Sequence, residues 1–338
     1  MESPEEFWAL HLLDFFEASP MLQVVHVKII GDIFLDDVPQ ERVVVLADAE
    51  SLSLVMSDGE PGYELAAHIS CPSAKHTSLT HECEKDAGRM IPEEISMFPA
   101  SVSWNVIVRH YTRSPVEEVA LEMKTLSNFT IECSLTFRSP DATTVSLHFA
   151  LPAQDEDEYE EYEDRLEVLV QMYWKVFSQA CRTIRDLTLL TNIKRLRICH
   201  ICLVSFHSQT MGATNEVRQL FKSVGPLEEL VLHQCDMQAY LASFHHYRGL
   251  HDIKEPVVFP PIKELTVSYP VGLGFNFGAA MVKLAESQHV LGVPFECVTV
   301  HTSYLPVKMA ERLRPWVGAV HCYEEFDPSG KRHVASRA

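Results

Sequence analysis

A chain of 338 residues, 46% hydrophobic and 22% charged, can bury a sizeable core and is far from a disordered composition. Its formal charge of −19 lacks the basic footprint that phosphate backbones and anionic membranes require, which excludes nucleic acid and membrane surfaces as expected partners. Nine scattered cysteines are not the dense framework of a small secreted domain.

Residues 7–18 predict an amphipathic helix stopped by Ser19 and Pro20. Leu22, Val25 and Val27 follow in the order L-x-x-L-x-L. In a strand the last two point to one face, and the first turns in beneath them. One such strand cannot bury that face alone, so the pattern demands stacked copies. Ala49, Leu52 and Leu54 form a second copy, and Ala74, Thr77 and Leu79 a weaker third in which Thr replaces an aliphatic residue. Residues 92–110 look helical in their second half, with a break at Pro99. Val116, Val119 and Leu121 then restore the pattern. Residues 129–137 and 143–149 alternate apolar and polar side chains, and the intervening RSPDA fits either a hairpin turn or two neighbouring rungs.

The run Asp155 to Asp164 supplies eight negative charges in an acidic insertion at 153–165. Like-charge blocks of this kind are usually solvated, although a basic partner could dock on one. A helix is expected over 166–181. Beyond it the copies sharpen: Ile193, Leu196 and Ile198; Leu227, Leu230 and Leu232; Ile262, Leu265 and Val267; Phe295, Val298 and Val300. Their starts are separated by 34, 35 and 33 residues, and a last copy, Val317, Val320 and Cys322, follows after 22. Ile184, Leu187 and Leu189 also fit the pattern, but Ile193 keeps the spacing regular. Helical segments are expected between copies at 215–223, 237–246, 277–291 and 306–313. The tail from Asp327 has no apolar periodicity and is expected to be disordered. The whole reads as an α/β solenoid: one irregular domain over residues 1–326, with a curved parallel sheet and helices on its convex side.

Candidate chemistry is sparse. Cys199-His200-Ile201-Cys202 has zinc-knuckle or redox spacing, with His207 as a possible third ligand, but no second C-x-x-C completes a site, and buried thiols acting as small hydrophobes explain it better. His245, His246 and His251 cluster without the H-E-x-x-H spacing and suit a polar helix surface. Gly272, Gly274 and Gly278 resemble a dinucleotide loop whose last glycine is one residue late, so a loop between rungs is the better account. No P-loop, nucleophile elbow or EF-hand loop occurs. No enzyme, cofactor or metal is expected. The acidic N-terminus is unlike a signal peptide, and no apolar run approaches the roughly 18 residues of a membrane span, which favours cytoplasm or nucleus.

Several stretches carry a family resemblance: SPMLQVVHVKIIG, ADAESLSLVM, PVEEVALEM, PLEELVLHQC, FPPIKELTVS, ESQHVLGVPFECVTV and LRPWVGAVHCYEE. Together, over residues 10 to 326, they are similar to the leucine-rich-repeat region of the F-box proteins abundant in mushroom-forming fungi. The resemblance implies a protein-interaction module of the kind that selects substrates for ubiquitin ligases. The F-box that docks the Skp adaptor would precede the repeats, and with a first strand at Leu22 it is not expected here. A partnerless or scaffold repeat protein, or an α/β enzyme with an unrecognised site, are the alternatives. If the repeats recognise a protein partner, they do so through the outward residues that alternate with the core. These are Glu118, Ala120 and Glu122; Arg195 and Arg197; Glu229, Val231 and His233; Glu264, Thr266 and Ser268; and Cys297, Thr299 and His301.

Overall fold

A computed structural model describes residues 7–57, 59–82, 114–125, 130–151, 162–186, 193–201, 210–235, 261–268, 277–301 and 306–323. By its internal contacts the chain divides into two compact units, Met1–Leu190 and Thr191–Ala338. Each combines helices with a sheet, and the strand pairing is mostly parallel.

The first unit opens with a two-residue strand β1 (Phe7–Trp8) and helix α1 (Ala9–Glu17), so the expected helix begins two residues late. Trp8 instead stacks on Phe34, with ring centroids 5.3 Å apart. Strand β2 (Val24–Ile29) follows, then β3 (Ile33–Phe34), β4 (Val44–Val45), β5 (Ser51–Met56), helix α2 (Gly59–Ala67), β6 (Ile69–Ser70) and β7 (His76–Glu82). After them come β8 (Glu118–Thr125), β9 (Ile131–Arg138), β10 (Thr144–Leu151) and helix α3 (Tyr162–Asp186). The main sheet of this unit has the order β8-β9-β10-β7-β5-β2, while β1 pairs with β3 and β4 with β6.

The repeat copies pair in the expected register. Val25 lies opposite Leu52 and Leu52 opposite Thr77, and likewise Val27, Leu54 and Leu79. Backbone bonds at the strand entries repeat from rung to rung, from Glu50 N to Gln23 O and from Lys75 N to Glu50 O, at 2.7 and 2.8 Å. The sheet is mostly parallel, and at RSPDA the hairpin alternative is the one realised, because β9 runs antiparallel to both β8 and β10. Only five residues join β9 to β10, which suffices for a hairpin but not for a parallel crossover of a dozen or more. Ser139 N donates to Thr143 O, and Ala142 takes a positive φ of 66° to close the turn. As a result β7 pairs with β10 and not with β8, the strand carrying the next copy.

Helix α2 was not expected, since Gly59, Pro61 and Gly62 are poor helix formers. Packing overrides the propensity. Tyr63, Leu65 and Ala66 are buried, and Gly62 lies so close to Met56 that a Cβ there would approach its Sδ to 2.5 Å. Helix α3 is longer than the segment expected at 166–181. Its buried stripe Tyr173, Val176, Phe177, Ala180, Cys181 and Ile184 repeats at helical spacing, and the helix lies against β9. Ile184 therefore belongs to α3 and not to a rung.

The second unit is regular. Strand β11 (Arg195–Ile201) is followed by α4 (Thr210–Ser223), β12 (Leu227–His233), β13 (Ile262–Ser268), α5 (Phe277–Val290), β14 (Cys297–His301), α6 (Pro306–Leu313) and β15 (Ala319–Tyr323). The strands are all parallel and stand side by side in chain order. Two inward rows cross them. One is Leu196, Leu230, Leu265, Val298 and Val320; the other is Ile198, Leu232, Val267, Val300 and Cys322. All are buried except the pair on β15, which is only half-buried. Helix α5 ends in a Schellman cap: Gly292 takes a φ of 76°, Gly292 N donates to His289 O and Val293 N to Gln288 O. Among the described residues no helix is long and apolar enough to cross a membrane.

The expected helices at 92–110 and 237–246, the acidic run 155–161 and the tail from Asp327 lie outside the described residues.

Candidate functional site

A strand whose alternate residues are buried offers its other residues to the opposite face, and register then decides which of them become neighbours. In the second unit three outward rows result. Arg195, Glu229, Glu264, Cys297 and Ala319 form the first; Arg197, Val231, Thr266, Thr299 and His321 the second; Cys199, His233, Ser268, His301 and Tyr323 the third. The residues read from the sequence on β11 to β14 thus fall into a single grid. Arg195, Arg197 and Glu264 are exposed, whereas Val231, His233, Thr266, Thr299 and His301 are half-buried and Ser268 is buried.

The grid is chemically graded. Its β11 end is basic, its middle holds the carboxylates Glu229 and Glu264, and its β15 end is aromatic. His301 stacks on Tyr323 with centroids 4.8 Å apart and planes 19° from parallel, and His321 lies 6.4 Å from the same ring. The only ion pair between described residues of this face joins Arg195 to Glu229 at 3.9 Å. Cys297 Sγ lies 3.8 Å from Thr299 Oγ1.

The corresponding face of the first unit is largely self-paired. Arg138 Nη1 donates to both carboxylate oxygens of Glu118, at 3.1 and 3.3 Å, so this candidate residue is already engaged. Lys124 pairs with Glu132 at 2.9 Å and Lys28 with Glu82 at 2.8 Å. Glu122 is exposed, and its charge reaches His148. Partial burial lowers the His148 pKa from its ordinary value; Glu122 and Glu132 oppose the shift and Lys124 adds to it. Ala120 is nearly covered.

Arg138, Glu132, Lys124 and His148 were not among the residues singled out from the sequence, although the alternation in 129–137 and 143–149 places Glu132 and His148 outward, and Arg138 continues it by one residue on β9. Lys124, on β8, continues the alternation of Glu118, Ala120 and Glu122. His321 and Tyr323 were visible in the same way from the last copy.

Three of the described thiols are held in the protonated form. Burial pushes Cys71 up to about 12, and it raises Cys133 and Cys322 as well. Cys235 is buried and donates through Sγ to Ile198 O at 3.3 Å. Cys199 is half-buried on β11, while Cys202, His207, His245, His246, His251 and residues 272–276 lie outside the described residues. Gly278 belongs to the first turn of α5. Among the described residues no group of three or more His, Cys, Asp or Glu could hold a metal ion. What the arrangement offers is a broad, charged, partly aromatic surface on a sheet. No protein-family model, no curated protein and no solved structure matches the chain.

Proposed function

We propose that the chain is a protein-recognition module: a leucine-rich-repeat-like solenoid with a curved sheet that captures a protein partner on its outward strand face. The observation that carries this reading is the coincidence of repeat and register. Leu196, Leu230, Leu265 and Val298, equivalent by spacing alone, are also direct cross-strand partners. A stack built that way buries one face and leaves the other to vary, and recognition is the usual use of such a surface. The resemblance to F-box substrate-recognition subunits adds the further reading that the captured protein is a ubiquitin-ligase substrate, in cytoplasm or nucleus.

Affinity purification of the full chain from cell extract, with Glu229→Lys/Glu264→Lys as comparison, tests both levels. A partner retained by the parent and lost by the variant, at equal melting temperature, supports recognition by this face. Retention by both counts against the face, and an empty purification counts against the module. Co-purification of Skp or cullin subunits would favour the ligase reading; a partner recovered without them would count against it.

A further inference from the structure

The outward faces of the two units differ in how their charges are used. On the first, cross-strand pairs neutralise one another: Lys28 with Glu82, Lys124 with Glu132, Arg138 with Glu118. On the second, Arg197 and Glu264 are both exposed, and neither has an ion-pair or hydrogen-bond partner among the described residues. Arg195 shares a row with these carboxylates, yet its pair with Glu229 is long, at 3.9 Å.

Register sets the spacing of the two unpaired groups. Glu264 shares a row with Arg195 through Glu229, and Arg197 stands two residues further along its strand. Two strand spacings across and two residues along place the Arg197 and Glu264 backbones about 12 Å apart. Half-buried Val231 and Thr266 lie beside that diagonal, as does Glu229, whose carboxylate faces Arg195. Two opposite charges held on strands either side of β12, without side-chain partners of their own, form a template for the reverse pair.

We propose that this diagonal binds a peptide segment of the partner protein that carries one acidic side chain over Arg197 and one basic side chain over Glu264. In an extended segment those two residues are about four positions apart, since each residue advances about 3.3 Å and only alternate side chains share a face. The charges fix polarity as well as position, because the segment laid down the other way round would set like charges against each other. This proposal rests on the recognition reading above and narrows it to one chemistry.

The test is an array of randomised peptides probed with the full chain, followed by fluorescence anisotropy on the enriched sequences. Enriched peptides are expected to carry both charges at that spacing. Arg197→Glu and Glu264→Lys are each expected to weaken them by about tenfold or more, at unchanged melting temperature. The double variant Arg197→Glu/Glu264→Lys is expected to prefer peptides whose two charges are exchanged. Peptides that bind but are indifferent to all three variants would overturn the proposal and leave recognition standing elsewhere. Binding lost in the single variants without the charge-exchanged preference in the double variant would also overturn it. An array with no enriched peptide would remove the proposal, and the partner capture described above would then decide whether recognition itself survives.

Discussion

Gly318 passes the backbone of Glu296 so closely that a Cβ at position 318 would stand 2.7 Å from the Glu296 carbonyl oxygen. The approach is tied down by Gly318 N, which donates to Phe295 O at 3.0 Å at the entry to β15. The obstacle is backbone, which cannot swing aside as a side chain can. Gly318→Ala should therefore force β14 and β15 apart and destabilise the second unit by about 1–3 kcal/mol. Gly278→Ala is the control, since its new methyl would sit 3.8 Å from Met309 Sδ in ordinary contact. Chemical denaturation of both variants should show a lowered midpoint only for the first.

Thr77 occupies an aliphatic position between Leu52 and Val145 and is 2% exposed. Its Oγ1 is buried with no hydrogen-bond partner. Thr77→Val keeps the shape and removes the unsatisfied hydroxyl, so stability should rise by about 1 kcal/mol. A denaturation midpoint that falls would show that the hydroxyl has a partner after all.

His81 is 5% exposed on the inward face of β7, edge-on to Phe149 at 5.4 Å and to Tyr63 at 6.3 Å. Burial lowers its pKa, against a smaller opposing pull from the backbone of Ser57. The folded state then binds fewer protons than the unfolded one. Stability is accordingly intact above the unfolded value of about 6.5 and is lost as pH falls below it towards the folded pKa, by at most about 1.4 kcal/mol per pH unit for this group. His148 is shifted in the same direction and adds to the same window. His81→Phe should flatten the stability profile below pH ~6.5 and leave the part that His148→Gln removes. An unchanged slope in His81→Phe would mean that the imidazole is charged in the fold.

Inner and terminal rungs should differ in cost. Leu230 is fully buried between Leu196 and Leu265, whereas Val320 at the same level of β15 is half-covered. Leu230→Ala should cost about 2–5 kcal/mol through lost burial and the cavity left behind, and Val320→Ala less than half of that. Equal losses would imply that β15 is covered as completely as β12.

The rungs of the second unit were legible because an aliphatic triplet at fixed spacing leaves a strand little choice of face, and Leu230 and Leu265 needed no further information to find each other. Legibility stopped where tertiary contacts decide. The glycines and proline of α2 argue against a helix, and only the burial of Tyr63 and Leu65 against the sheet makes one. The short RSPDA turn left a hairpin and parallel rungs equally open, and the antiparallel outcome moved β10 beside β7. On the surface, Glu118 looked available since Arg138, twenty positions away, becomes its neighbour only through the β8–β9 register. Glu264 and Arg197 gave the opposite result: the same alternation that marked them as outward is all that places them.

The antiparallel β9 also bears on how the first unit assembles. Strands β8, β9 and β10 follow one another as a local meander, but β10 must then find β7, with β8 and β9 lying between them in the chain. Closing that longer loop carries an entropic cost that the pairing must offset late in folding. The second unit has no such step, because each strand docks on its predecessor. Pulsed hydrogen exchange during refolding should protect β12 and β13 before the β7–β10 seam, so that the most irregular part of the sheet is the last to close.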